Sequence, residues 1–269
     1  MNLKLDIDYL ICVSDLHAGS IYGLMPPSIK LYDDNTVHAN ELQRWMYKCW
    51  QDWWAFADQR TKGKRVAIAV VGDAIEGIHH GGKQVISPEA SDHSTVAKEL
   101  LRPHLKGRQL IMVEGTECHT LLAENSIGEA LGAIPYRKTK PGEPGTYLWP
   151  QVNLTVNGCH GYLRHHIGVA IRPYLEASVM SIQLGSDRVE AARTHQKIPQ
   201  FLVSGHRHRF GGYTDGDAQV VCLPPWQGLT RHGRKVVPAA KTVVGGVILD
   251  FTKASEFDPP QLIYRRYIP

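Results

Sequence analysis

The sequence of 269 residues predicts an α/β layered fold in a single domain, residues 1–269, on three observations. Strand-like apolar runs alternate with amphipathic helical stretches through the first half of the chain. The apolar share is 43%, enough for a sizeable core. The last third is rich in Gly and Val and reads as further strands closing a second sheet.

The elements follow in order. Tyr9 to Val13 is the first apolar run, and Val66 to Val71 the second. Between them, residues 39–60 have helical periodicity: Leu42, Met46, Cys49, Trp53 and Phe56 fall on one face, which should meet a sheet. Trp45, Trp50 and Trp54 widen that face, which is either core or the cover of a subunit contact, so a homo-oligomer is compatible with it. Ser91 or Ser94 is placed to cap a second helix running through Lys98, Leu100 and Leu101. A third strand, Leu110 to Val113, precedes a short helix over 121–131. Pro135, Pro141, Gly142, Pro144 and Gly145 mark a loop. Asn157-Gly158, between the runs 152–156 and 159–163, is a strong hairpin signal. A long helix should occupy 173–195, and strands are expected at 201–203, 219–223 and 243–249.

Charge and cysteine content exclude several classes. A net charge of +4 permits an anionic substrate but is no footprint of a dedicated nucleic-acid binder. Five cysteines, without a Cys-x-x-Cys pair, argue against a disulfide framework or a structural zinc site. The N-terminal residues lack a signal-peptide pattern, and no apolar stretch is long enough to span a bilayer. The expected location is the cytoplasm, or a host's cytoplasm for a phage-encoded protein, with no membrane partner.

The chemistry concentrates where strands run out. Asp15 and His17 follow the first run, Asp73 the second, His119 the third, and His206 and His208 the run at 201–203. Carboxylates and imidazoles gathered at one sheet edge are the donors that a pair of divalent ions needs. A shared carboxylate can hold two such ions about 4 Å apart, a spacing used to attack phosphate esters, with a bridging water made acidic enough to supply hydroxide.

In order and spacing, Asp15-Leu16-His17, Gly72-Asp73 and Gly205-His206-Arg207-His208 resemble the motifs of the calcineurin-like metallophosphoesterase family. The resemblance runs from about residue 9 to 210. It implies a four-layer α/β/β/α sandwich of two mixed sheets with metals at the strand ends between them. It also implies that Asp15, His17 and His208 bind a first ion, that Asp73 bridges, and that His206 binds a second. Asp and His ligands suit Mn, Fe, Zn, Ni or Co.

Two segments depart from the family pattern. The third motif usually offers Asn and His; here it reads Gly115-Thr116-Glu117-Cys118-His119, similar to a phage and bacterial branch with Gly-Thr-x-x-His. Thr116 takes the place of the Asn but its neutral hydroxyl is a poor ligand, so Glu117 or His119 is the alternative; His119 is the expected site residue, either as a second-metal ligand or as the proton donor to the leaving oxygen. For the fourth motif His160 and His165 compete. His165 is preferred because it follows a strand, while His160 starts one, and His166 is its neighbour or the true ligand. Glu76, His79, His80 and Lys83 follow Asp73 in a Gly-rich loop, where His79 and His80 are candidate substrate contacts. Asp92 is read as a helix cap with His93 beside it. Arg207 should turn away from the metals toward substrate or solvent. Arg231, His232, Arg234 and Lys235 form a basic run expected in a loop.

The expected activity is hydrolysis of phosphate esters, a diester more than a monoester. Nucleotides and single-stranded nucleic acid are candidate substrates. The alternatives are a metal-dependent nuclease on DNA or RNA, and a non-catalytic binding or scaffold protein that retains the fold.

Overall fold

The computed structural model describes residues 2–78, 84–117, 121–137, 145–168, 173–236 and 241–269. Its strands are β1 (Asn2–Lys4), β2 (Tyr9–Val13), β3 (Ser28–Lys30), β4 (Thr36–His38), β5 (Val66–Val71), β6 (Gln109–Val113), β7 (Leu148–Trp149), β8 (Val152–Val156), β9 (Cys159–Leu163), β10 (Phe201–Ser204), β11 (Gly211–Asp215), β12 (Ala218–Cys222), β13 (Val244–Asp250) and β14 (Gln261–Tyr267). The helices are α1 (Glu41–Arg60), α2 (Ala90–Leu101), α3 (Leu121–Leu131), α4 (Glu176–Arg193) and α5 (Arg231–Val236).

Two six-stranded mixed sheets form the centre. One runs β1-β8-β9-β10-β12-β11 and the other β14-β13-β2-β5-β6-β7. Because successive side chains alternate across a strand, β2 sends Leu10 and Cys12 to the space between the sheets and Ile11 and Val13 to the other face. The inter-sheet layer unites Leu10, Cys12, Ala69 and Val71 with Leu154, Leu163, Phe201 and Val203. Outside the second sheet, Met46, Trp50, Trp53 and Trp54 of α1 and Val96 and Leu100 of α2 join Ile11, Val13 and Ile68. Outside the first, Met180 and Leu184 of α4 cover Tyr162, Leu202 and Val220. The result is the four-layer α/β/β/α sandwich.

Helix α1 starts at a capping box: Asn40 accepts from the Gln43 amide while the Gln43 side chain accepts from the Asn40 amide. Its buried face is Gln43, Met46, Trp50, Trp53 and Ala57, rotated slightly from the expected stripe, leaving Leu42 and Phe56 half-buried. The tryptophans at 50, 53 and 54 are consumed by this chain's own core, so they give no cause for a subunit contact. Asn157 and Gly158 have φ of 51° and 84°, as a hairpin turn of the mirror-image type requires.

Four expectations need correction. Ser91 and Ser94 lie inside α2, not before it; the N-cap is Glu89, with no side-chain cap bond. Asp92 sits in the first turn, where it accepts from the Ser87 hydroxyl and the Tyr32 amide. The late strands do not close one sheet: β12 pairs with β10 in the first, and β13 pairs antiparallel to β2 in the second. The basic run 231–236 is the short helix α5. Among the described residues, no helix is long and apolar enough to cross a membrane.

Candidate metal centre

Strands β2, β5, β6, β9 and β10 all end at one edge of the sandwich, because β2-β5-β6 and β9-β10 are parallel neighbours. The turns leaving β2 and β5 stay paired beyond the strands: the amides of Asp15 and His17 donate to the carbonyls of Gly72 and Asp73 at 3.1 and 3.0 Å. Asp15, His17, Asp73, His206 and His208 all have positive φ, between 43° and 69°. That region is costly for residues with a Cβ, by about 1–3 kcal/mol each, and is tolerated where the surroundings force it. The gain is directional: these left-handed residues turn their side chains back over the strand ends.

Close approach needs two glycines in particular. A Cβ on Gly72 would lie 2.2 Å from His165 Nδ1, and one on Gly115 would lie 2.3 Å from Asp73 Oδ1. Each of these motifs thus makes room for the residue of another.

Six side chains converge into two groups, Asp15–His17–His208 and Asp73–His165–His206, and in each group one donor atom per residue lies within 4.8 Å of the others. His17 Nε2 is 3.1 Å from His208 Nε2, and His208 Nε2 is 3.2 Å from Asp15 Oδ1. His165 Nε2 is 3.1 Å from Asp73 Oδ2. The groups touch through the carboxylates: Asp73 Oδ2 is 3.7 Å from His17 Nε2, and Asp15 Oδ1 is 4.0 Å from His165 Nε2.

Buried partners orient the rings. His17 Nδ1 donates to Glu76 Oε2 at 2.8 Å, and Gln227 donates to the same oxygen at 3.0 Å. His165 Nδ1 donates to the Val71 carbonyl at 2.8 Å. Both contacts commit Nδ1 and leave Nε2 aimed into the cluster, as metal-ligating imidazoles require. The Thr116 amide donates to Asp73 Oδ1 at 2.6 Å, and its hydroxyl lies 3.2 Å from Asp73 Oδ2 and 3.4 Å from both His165 Nε2 and His206 Nδ1. Behind Asp73, the wholly buried Glu124 of α3 accepts from the Ala74 amide.

The electrostatics fit a cation site. Burial opposes the charged form of His165, but the hydrogen bond to Asp73 and the charges of Asp15 and Asp73 outweigh it and raise its pKa to about 9. His17 is likewise raised: burial opposes its charge, and the Glu76 hydrogen bond with the neighbouring carboxylates prevails. For Asp15, burial is outweighed by His208 and His165, and its pKa falls to about 2. Two carboxylates thus draw protons onto adjacent imidazoles in the space where cations would sit. The His206 pKa falls to about 4 through burial and the nearby His165 and His166. Burial and the Asp73 charge push Glu124 up to about 8.

Other candidates lie elsewhere. His160 is buried in β9 against the Thr155 hydroxyl, 3.0 Å away, and joins neither group. His166 is exposed, its ring 4.5 Å from that of His206. Glu117 is exposed. Arg207 turns inward rather than toward solvent: its side chain is 2% exposed and stands 3.7 Å from Glu176. The reason is its position on the turn, which alternates His206 and His208 toward the cluster and Arg207 toward α4. His79, His80, Lys83, Cys118 and His119 lie outside the described residues.

By sequence Glu76 is a loop residue, and neither Gln227 nor Glu124 stands in a recognisable motif. Glu76 carries one usable signal, its place three residues beyond Asp73; Gln227 and Glu124 carry none, since long-range packing alone brings them in.

No family model matches the chain, and no curated protein does. Among solved structures, an archaeal phosphodiesterase aligns over 97% of this chain and 99% of its own, with 11% identity and a TM-score of 0.47. Wild-type Vps29 from Entamoeba histolytica, complexed with Zn²⁺, aligns over 97% and 98%, with 10% identity and a TM-score of 0.40. The NAD nucleotidase NadN from Haemophilus influenzae aligns over 98% of this chain but 50% of its own, with 12% identity and a TM-score of 0.34. Likenesses this distant carry no functional argument, which rests on this chain's own side chains.

Proposed function

We propose that this protein is a metal-dependent phosphoesterase acting on phosphodiesters. The observation that carries the reading is the pair of Asp/His groups joined through Asp73 at the strand ends. Asp15, His17 and His208 would hold one divalent ion, His165 and His206 a second, and Asp73 would lie between them. When bound, the two ions would neutralise phosphate charge and bring the pKa of a water at the site toward neutrality.

The chain's own residues do the rest. Glu76 and the Val71 carbonyl hold the His17 and His165 rings with Nε2 presented. Thr116 steadies Asp73 through its amide and hydroxyl. His119 is assigned, from its sequence position, the transfer of a proton to the leaving oxygen.

Charge favours a diester. Helix α4 offsets most of the arginine charge flanking the ligands: Arg164 makes two bonds to Asp187 at 3.0 and 2.5 Å, Arg209 meets Glu176 at 2.8 Å, and the buried Arg207 shares that same carboxylate at 3.7 Å. They therefore offer little additional positive charge to the dianion of a monoester.

The test is metal content together with hydrolysis of bis(p-nitrophenyl) phosphate and p-nitrophenyl phosphate with Mn²⁺. The expected result is two ions per chain and metal-dependent turnover favouring the diester. Metal binding with no turnover of either ester would identify a scaffold that retains the fold, and no metal binding would overturn the reading altogether.

A further inference from the structure

A second feature marks the same end of the sandwich, at the margin where the edge strands of the two sheets meet. Phe210, immediately before β11, and Tyr264 of β14 pack with ring centroids 4.7 Å apart. The Arg266 guanidinium lies over both, 4.9 Å from the Phe210 ring and 5.4 Å from that of Tyr264. Tyr264 is 49% exposed, and Arg266 is exposed.

Register locates this group relative to the metal centre. Tyr264 pairs with Val247, which pairs with Cys12 of β2. Arg266 pairs with Gly245, two residues farther along, level with the turn that carries Asp15. In the other sheet, Gly211 pairs with Cys222, and Cys222 with Ser204, so Phe210 stands level with the turn that carries His206 and His208. The platform is thus two strands across from β2, roughly 10 Å at the usual strand spacing. A single strand of nucleic acid, rising about 3.4 Å per stacked nucleotide, crosses that gap in about three units, fewer when extended.

The charges single out Arg266. Arg164, Arg207 and Arg209 are held by carboxylates of α4, and neighbouring Arg265 is held by Asp52. Among the described residues, Arg266 makes no ion pair with a carboxylate, so its charge is available to a phosphate. An exposed aromatic ring beside a guanidinium with no carboxylate partner is the pairing that unstacked nucleobases and their phosphates bind, because every base has a π-face and every linkage an anionic charge.

We infer that Phe210, Tyr264 and Arg266 form a base-stacking subsite, so that the substrate is single-stranded nucleic acid laid from this platform to the metal pair. This deepens the phosphodiesterase reading and rests on it for the position of the scissile bond.

Binding and turnover separate the two ideas. Anisotropy of a 5′-fluorescein-labelled oligothymidylate in EDTA reports the platform without catalysis. Tyr264→Ala and Arg266→Gln should each weaken that binding about tenfold, with Tyr264→Phe close to wild type. With Mn²⁺, the alanine and glutamine variants should raise KM for the oligonucleotide by a similar factor while keeping kcat/KM for bis(p-nitrophenyl) phosphate within about twofold. Unchanged oligonucleotide binding in both variants would overturn the inference, as would equal loss on both substrates, which would mark the trio as a plug between sheet edges. Platform-dependent binding without hydrolysis of either substrate would uphold the subsite and sink the phosphodiesterase reading.

Discussion

The two halves of the candidate metal centre are built differently. Asp15 and His17 of the first group come from one tripeptide, and the buried carboxylate of Glu76 backs the His17 ring. Asp73, His165 and His206 come from three separate turns, and the neutral Val71 carbonyl backs His165. A carboxylate behind an imidazole raises its basicity more than a carbonyl does. Both groups offer one carboxylate and two imidazoles, but the first has a charged support and the second a neutral Thr116 hydroxyl at its margin. The difference teaches that the first site should bind an ion tightly and the second should exchange it more readily.

Several measurements break or sharpen this contrast. The largest effect is expected from Asp73→Asn, which removes the carboxylate proposed to lie between the two ions. Turnover should fall by about 10³-fold or more and metal content should drop below two ions per chain; a variant keeping both ions and its rate would end the shared-carboxylate account. Next is Glu76→Gln, which keeps shape but removes the charge behind His17. First-site affinity, measured by calorimetry, should weaken about 10–100-fold with the second site little changed. Equal weakening at both sites would show that the halves are not independent. Thr116→Val is a smaller perturbation. Loss of a hydrogen bond worth about 1 kcal/mol predicts roughly fivefold weaker binding at the second site, with a smaller loss at the first through Asp73.

The last effect is the pH dependence of the metal-free protein. The His165 pKa is raised to about 9 from 6.5, so its stabilising contribution is complete below pH 6.5 and is lost as pH rises through about 9. Asp15 is lowered to about 2 from 3.8, so its contribution holds above pH 3.8 and is lost as pH falls through about 2. Thermal melting in EDTA should therefore weaken between pH 7 and 10. Melting that is flat across that range in wild type, or as steep in His165→Gln, would remove the proton from its assigned place.

Legibility in the sequence followed the range of the interactions involved. Helix α3 and the Asn157-Gly158 hairpin were readable because their signals are local: periodicity, and a dipeptide that accepts positive φ at both positions. A serine at a plausible cap position says nothing of where tertiary packing begins a helix; in α2 Glu89 holds the N-cap position without a side-chain cap bond and both serines are internal. β12 and β13 look alike as apolar runs, and only long-range pairing sends them to different sheets.

The candidate site divides in the same way. The choice between His160 and His165 turned on one residue's place in a strand, and the structure puts His160 against Thr155 and His165 against Asp73. Arg207 could not be read, since its direction depends on Glu176 of a helix far along the neighbouring segment.

By itself the sequence determined the kinds of residue at the strand ends, the glycines beside them and the alternation that makes the layers. Those are properties of local backbone preference and side-chain chemistry. Tertiary structure alone decided which Asp and His share a group, that Glu76, Gln227 and Glu124 stand behind them, and that Phe210 meets Tyr264 and Arg266 across two sheets. The physical reason is that a donor group or a stacking platform requires distances of a few ångströms between residues separated by tens to hundreds of positions. Sheet pairing and core packing set those distances, and no local signal encodes them.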